Sequence, residues 1–199
     1  MRYAGQPSWQ IRERRQNQNF ELALWARAAE RLDVPARGVV PGPLLIDPLP
    51  DPTPGLDTVA LAHQWSAWWL TLCNLPPWSP DSVGPPPQIT HSGPDFVALT
   101  GLPSLRELMV RRWPEVFRWR TERGRAGAHE GQPNVRTLIA EIEQRLGRPV
   151  RPFDVSIEVL AVDDQEVRQV SEATFLVPEH IRDGTGWSDV LRGLIEPFA

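Results

Sequence analysis

The stretch DTVALAHQWSAWWLTLC, Asp57–Cys73, decides the fold expected for this chain. Its apolar and small residues recur at helical spacing on two opposite sides: Leu61, Trp65, Trp68, Trp69 and Leu72 on one, and Val59, Ala62, Ser66 and Leu70 on the other. Only His63, Gln64 and Thr71 are left to face water. A helix that is apolar on nearly all sides must be covered by its own domain or by another chain. The stretch therefore predicts burial and contact, not chemistry.

Composition limits the class of protein. With 199 residues, 41% hydrophobic and 23% charged, the chain is long enough to bury a sizeable core and has the make-up of a globular domain. Its net charge of −4 argues against a general nucleic-acid binder. The single cysteine, Cys73, excludes an internal disulfide and a cysteine-based zinc site. The N-terminus lacks a secretory signal and the apolar run at 59–72 is too short to cross a bilayer, so we expect a cytoplasmic protein with no membrane association.

Proline and charge divide the chain. Six of the 22 prolines lie between Pro41 and Pro54 and seven between Pro76 and Pro94, on either side of the tryptophan-rich helix. Arginine is absent from 38–103 but occurs seven times in 104–125. We expect a helical, proline-rich region over 1–103 and an α+β region over 104–199, within one compact domain overall.

The two proline-rich stretches should be extended, because proline fixes φ and lacks an N–H donor. One interpretation makes them ligands for an aromatic groove of another protein. The other makes them ordered connectors that wrap over the chain's own surface. The second is favoured because several residues are apolar enough to pack back: Leu44, Leu45, Ile46, Leu49 and Trp78.

Helical periodicity extends beyond the central stretch. An N-terminal helix is expected to begin at Ser8 or Asn19 and to end at Leu32. Another begins at Ser104, and Pro114 either kinks it or starts a second short helix.

The last third predicts an α-β-β-α unit. A helix over 134–146 precedes a strand over 153–161 whose alternate residues are apolar, then a turn at 163–165, a returning strand over 166–177 and a final helix from Ser188. The fold class is thus α+β, mainly helical, with a small antiparallel β-hairpin and the helices on one side of it. The hairpin edge is either a place where a second chain pairs or a short, charged, exposed edge.

No residue set indicates catalysis. The four histidines, His63, His91, His129 and His180, have no histidine or cysteine three or four residues away that would form a helical metal clamp. Cys73 lies about 15 Å of helical rise from His63, too far for a nucleophile–base pair. The G-x-S-x-G, P-loop and G-x-G-x-x-G signatures are absent, and no stretch carries a motif that names a family. We therefore predict no catalytic residue, no cofactor and no metal ligand.

The segment RRWPEVFRWRTERGRAG, 111–127, interleaves arginines with aromatic residues, as in proteins that bind single-stranded nucleic acid. Its spacing argues the other way. If the segment is helical, five charges form a ladder of alternating sign along one face, and the acids neutralise part of the basic charge: Glu107, Arg111, Glu115, Arg118 and Glu122. Arg120, Arg123 and Arg125 remain less compensated.

We expect a non-catalytic protein-binding accessory, adaptor or assembly component of the cytoplasm, whose partner is another protein or a second copy of the chain. Tryptophan and arginine dominate contact hot spots. The candidate contact residues are Trp65, Trp68, Trp69, Trp78, Trp119, Arg118, Arg120, Arg123 and Arg125. Two alternatives are an arginine-mediated nucleic-acid contact through Arg118–Arg125 and an enzyme whose loops bring His91, His129 or His180 to an acid. The sequence leaves open whether the 57–73 helix is covered within the chain or at an interface.

Overall fold

A computed structural model describes residues 9–15, 17–74, 93–126 and 134–199, with the side chains of 125 and 126 excepted. The elements in chain order are β1 (Gln10–Arg15), α1 (Gln18–Ala29), α2 (Thr58–Cys73), a 3-10 turn (Val97–Leu99), α3 (Pro103–Ala126), α4 (Val135–Leu146), β2 (Asp154–Leu160), β3 (Arg168–Ser171), β4 (Thr174–Pro178), α5 (Glu179–Arg182), α6 (Trp187–Ile195) and a last 3-10 turn (Glu196–Phe198). The class is α+β, as predicted. In the part of the chain described, no helix is both long and apolar enough to cross a membrane.

The four strands form one mixed sheet in the order β1-β2-β4-β3. β1 and β4 both run parallel to β2, and β3 is antiparallel to β4. The predicted hairpin, in which 153–161 pairs with 166–177 across a turn at 163–165, is therefore wrong. The returning stretch is broken near Glu172 into β3 and β4, and these two form the antiparallel hairpin.

The residues assigned to that turn have another role. The Asp163 N–H donates to the Pro43 carbonyl, and the Asp164 carboxylate accepts from the Gly42 N–H and from the Arg168 guanidinium. These bonds tie the end of β2 to the first proline-rich segment. The chain therefore does not fold straight back along β2, and β4 lies beside it in the parallel direction.

The N-terminal segment holds a strand that the sequence analysis missed. The structure begins α1 at Gln18, with the Asn17 side chain accepting from the Asn19 N–H, close to the predicted start at Asn19 and far from Ser8. Residues 10–15, QIRERR, pair with β2 over their whole length. Four charges in six residues hide the strand in the sequence, because its stability comes from pairing with a distant segment.

The sheet separates two hydrophobic cores. On one face, alternate residues of β2 (Val155, Ile157 and Val159) pack with apolar residues of α4 and α6. The predicted placement of these two helices on one side of the sheet agrees with this cluster. The opposite core joins α1, α2 and α3 to Leu160, Ala161, Val162 and Leu176 at the ends of β2 and β4.

Helix α1 is the most enclosed element of the second core. Residues 20–27 are all buried, including the charged Glu21 and Arg27, and Glu30 just past its end is buried as well. All three charges have partners on other segments of the chain. Glu21 pairs with Arg120 of α3, Arg27 donates to the carbonyls of 41 and 42, and Glu30 accepts from the N–H and hydroxyl of Thr53.

The tryptophan-rich helix α2 is buried on its tryptophan side only, contrary to the sequence prediction. Its range agrees with expectation and the Asp57 side chain caps it, but Val59 and Leu70, on the other side, are 66% and 51% exposed. Gln64, expected to face water, accepts from the Leu105 N–H and so satisfies a donor in the first turn of α3. Helix α3 itself continues through Pro114, so the second helix considered at that proline does not exist.

The proline-rich segment 41–54 packs back onto the chain, the interpretation favoured from sequence. Leu44 is buried and bridges to Val162 in antiparallel fashion. Of the apolar residues expected to pack back, Leu45 and Leu49 stay exposed. Residues 76–92 of the second proline-rich stretch, Trp78 among them, lie outside the described part of the chain.

The close approach of 42 to 163 predicts a steep cost for any side chain there. A Cβ on Gly42 would lie 1.8 Å from the Asp163 carbonyl oxygen, whereas one on Gly101 meets no atom within 4 Å. We expect Gly42→Ala to lower the free energy of unfolding by about 2–3 kcal/mol, and Gly101→Ala to change it by less than about 0.5 kcal/mol. Urea denaturation followed by tryptophan fluorescence measures both, and equal stability of the two variants would refute the contact.

The buried Asp164–Arg168 pair predicts a pH-dependent contribution to stability. Burial acts to raise the pKa of Asp164, but hydrogen bonds from Arg168 and Gly42 outweigh it and hold the pKa below its ordinary 3.8. The ionised carboxylate therefore stabilises the fold fully above pH 3.8, and this stabilisation falls as the pH drops through the lowered folded value.

We expect Asp164→Asn to lower the free energy of unfolding by about 2 kcal/mol at neutral pH. The difference in this free energy between the variant and the native chain should become smaller as the pH falls. Urea denaturation at pH 7 and in acid tests this, with the exposed neighbour Asp163→Asn as a control of small effect. A difference that stays constant over that range would contradict the assignment.

Candidate protein-binding surface

The three adjacent tryptophans proposed as contacts lie in the interior. Trp65, Trp68 and Trp69 are at most 2% exposed. The Trp65 indole N–H donates to the Ala23 carbonyl and the Trp69 N–H to the Val39 carbonyl. Trp65 and Trp69 also stack, with ring centroids 5.3 Å apart. The tryptophan side of the helix is therefore covered within its own chain, and in this structure these three side chains are not available as a contact surface.

The other proposed contacts are dispersed. Trp119 is half-buried against the core, and Arg118 is exposed. Arg120 and Arg123, expected to be poorly compensated, both form ion pairs with the buried Glu21, and Arg123 also pairs with Glu179. Trp78 and the Arg125 side chain lie outside the described residues. The predicted contact residues that the structure describes therefore do not share one accessible face.

Reactive groups do not converge in the described part. His63 and His180 are exposed and lie on separate helices, while His91 and His129 fall outside the described residues. Burial raises the pKa of the Cys73 thiol to about 12, so at neutral pH this cysteine is a protonated core residue. Among the residues placed by the structure, no group of three metal-ligating side chains could hold an ion.

A different surface emerges where α1 ends. Two shallow cavities, of about 430 and 500 Å³, lie on either side of the segment 31–34 and share Arg31, Asp33 and Val34 as a wall. We call the two together the α1-end groove. The first is bounded by α2 through Val59, Ala62, His63 and Ser66. The second is bounded by the proline-rich segment through Leu44, Leu45, Ile46 and Leu49.

The groove combines apolar contact area with cationic groups. Val59 in the first cavity is 66% exposed, and Leu45 and Leu49 in the second are 59% and 43% exposed, so each cavity has at least one large apolar side chain open to solvent. Arg31 and Arg37 line the groove, and within the described ranges neither has an ion-pair partner. Asp33 is the one carboxylate among the lining residues of the two cavities. The chain has a net charge of −4, so this local excess of positive charge sets the groove apart.

The turn that forms the shared wall is held in an unusual conformation. The Leu32 N–H donates to the Arg27 carbonyl and the Arg31 N–H to the Ala28 carbonyl, which is the hydrogen-bond pattern of a Schellman C-cap. Arg31 occupies the position where glycine is usual and has φ 50°. A side chain in this left-handed region costs about 1 kcal/mol.

The sequence held only part of the signal for this groove. The sequence identifies Leu45 and Leu49 as apolar residues of a proline-rich stretch, and it predicts that Val59 lies on a covered side of its helix. Their shared exposure depends on how the segment after α1 lies against α2, which neither segment encodes alone. The one local signal in the sequence is Arg31, which stands two residues after the end of α1, where glycine is usual.

Comparison of the chain with protein-family models, with curated proteins and with solved structures finds no match. A function can therefore be inferred only from the geometry of the chain itself.

The strained wall predicts a stabilising substitution. We expect Arg31→Gly to raise the free energy of unfolding by about 0.5–1 kcal/mol, because glycine adopts a positive φ without a steric cost. Arg37→Gly, on the same segment but outside the left-handed region, should not stabilise the chain. Equilibrium urea denaturation of both variants decides the matter, and a loss of stability in Arg31→Gly would show that the arginine side chain makes a compensating contact.

Proposed function

We propose that this chain is a non-catalytic protein-binding component, an adaptor or assembly factor, and that it binds its partner through the α1-end groove. The single observation that carries the proposal is the pair of adjoining cavities, each opening on an exposed apolar side chain and both bordered by Arg31, a cation without an ion-pair partner in the described part. Contact hot spots are rich in arginine and lie in well-packed pockets of the interface.

The chemistry of the groove selects one class of occupant. Two neighbouring cavities suit two large apolar side chains of one segment, and the cationic wall between them suits a carboxylate placed between those side chains. The partner is therefore a different protein that presents an exposed segment with an acidic residue flanked by apolar ones. A second copy of this chain and a nucleic acid are the competing occupants.

The cost of the strained turn supports this assignment. Glycine at position 31 would relieve the backbone, yet the chain carries an arginine that faces both cavities. Strain retained at a surface position supports a role for the side chain, since residues in sparsely populated backbone regions concentrate at ligand contacts. The Arg31 guanidinium would then be the group that meets the partner's carboxylate.

Peptide selection with matched variants tests the proposal. We expect short random peptides selected on the full chain to share an acidic residue between two large apolar ones. Fluorescence anisotropy should show that affinity falls about tenfold or more in Val59→Asp and in Arg31→Glu. The controls are Val97→Asp, a valine 70% exposed outside the groove, and Arg118→Glu, an exposed arginine on α3; neither should alter the affinity.

A charge reversal in the peptide sharpens the test. Replacing its acidic residue by arginine should abolish binding to the native chain and restore binding to Arg31→Glu. Selected peptides that bind Val59→Asp as tightly as the native chain would overturn the proposal. A dimer in light scattering that Val59→Asp dissociates would also overturn it, because the groove would then be occupied by a second copy.

A further inference from the structure

A cluster of polar side chains lies on the sheet where β1 pairs with β2. β1 and β2 pair in register, so that Arg12 lies beside Ser156 and Arg14 beside Glu158. Asp154, Ser156 and Glu158 alternate with the apolar residues that pack under α4 and α6, so they project from the opposite face of the sheet. Ser156 and Glu158 are at most 1% exposed.

The charged members of this cluster are only partly paired. Arg12 donates through Nη2 to the Asp154 carboxylate at 2.6 Å, and the Arg14 guanidinium forms an ion pair with Glu158. The other Glu158 oxygen accepts from the Asn17 amide at 2.9 Å. With two arginines and two carboxylates, the cluster is neutral when both acids are ionised.

Several buried donors in the cluster have no partner. Within the described residues, Nε and Nη1 of Arg12, Nε of Arg14 and the Ser156 hydroxyl are buried and lack a hydrogen bond. The one buried acceptor of the cluster without a hydrogen bond, Glu158 Oε1, is in the ion pair with Arg14. Native proteins leave few buried polar groups unpaired, since each costs free energy comparable to a lost hydrogen bond. Four such donors on neighbouring positions of two strands indicate that an acceptor from outside the described residues belongs there.

We propose that this cluster is a binding site for a small tetrahedral oxyanion of the phosphate class. The unpaired groups are donors on three different side chains, and one anion with several oxygens can accept from all of them. A planar carboxylate suits the site less well. Nη2 of Arg12 uses one of its two N–H groups for Asp154. A carboxylate on the remaining edge of the guanidinium has only two oxygens for the four unpaired donors, whereas a tetrahedral oxyanion has up to four.

Two further features favour an anion at this place. The Asn17 side chain that binds Glu158 also caps α1, so the positive end of the α1 dipole lies next to the cluster. Burial raises the pKa of Glu158, against the opposing effects of Arg14 and Asn17. A proton taken up by this carboxylate would leave the cluster with a net positive charge when the anion binds.

Nuclear magnetic resonance of the arginine Nε–H groups tests the site directly in the full chain. Inorganic phosphate is added at constant pH and ionic strength. We expect saturable shifts of the Arg12 and Arg14 Nε–H signals, and no change for Arg106 and Arg168, whose Nε groups already have protein partners. Sulfate should reproduce the shifts and acetate should not.

Ser156→Ala is the matched variant, since it removes one hydroxyl and leaves every ion pair in place. We expect phosphate affinity to fall about tenfold, the loss expected for one hydrogen bond to a charged group. Arg12→Gln should abolish binding, and retained strand–strand amide signals would show that the sheet is intact. Shifts that fail to saturate, that chloride reproduces, or that persist unchanged in Ser156→Ala would overturn the proposal. The proposal would also be overturned if magnetisation transfer showed a bound water at the site and the Arg12 and Arg14 Nε–H signals did not change on addition of phosphate.

Discussion

The fold depends on the burial of α1. This helix lies in the core between the sheet ends and helices α2 and α3, and it brings three charges, Glu21, Arg27 and Glu30, out of water. An unpaired charge in such a place would cost several kcal/mol, so each must meet partners. Those partners come from α3 and from the first proline-rich segment, which includes Thr53. The requirement to pair three charges thus fixes where otherwise independent segments lie.

Arg27 shows how tightly these constraints interlock. It donates to two carbonyls of the proline-rich segment and lies over the Trp65 ring at 5.4 Å. Burial lowers its pKa to about 10, partly offset by the nearby Asp164 charge. Asp164 in turn binds Gly42 and Arg168, so one network joins α1, α2, the proline-rich segment and β3. The α1-end groove is the outer surface of this network, and its shape follows from contacts made inside.

Neither candidate site could be predicted from the sequence, and the reason is the same for both. The groove depends on residues from three segments, and its most exposed apolar side chain, Val59, was expected to be covered because helix periodicity alone cannot tell which side a domain leaves open. The sheet cluster depends on β1, whose charges obscure its strand character. In both cases the missing information was the pairing of segments far apart in the chain. The periodicity of the arginine-rich stretch indicates a helix, but it does not reveal that Arg120 pairs with Glu21, which lies 99 residues away in the chain.

The sequence by itself determined the local elements whose signals are short-range. The helices predicted over 57–73 and 134–146 form there, Gly147 ends α4, and the alternation at 153–161 gives a strand with one face on α4 and α6. Tertiary structure alone decided that this strand has parallel neighbours on both sides, that β1 exists, and that the tryptophans of α2 point inward. The physical reason is that caps and periodicity act within a few residues, whereas strand partners and the pairing of buried charges are chosen by the free energy of the whole packed chain.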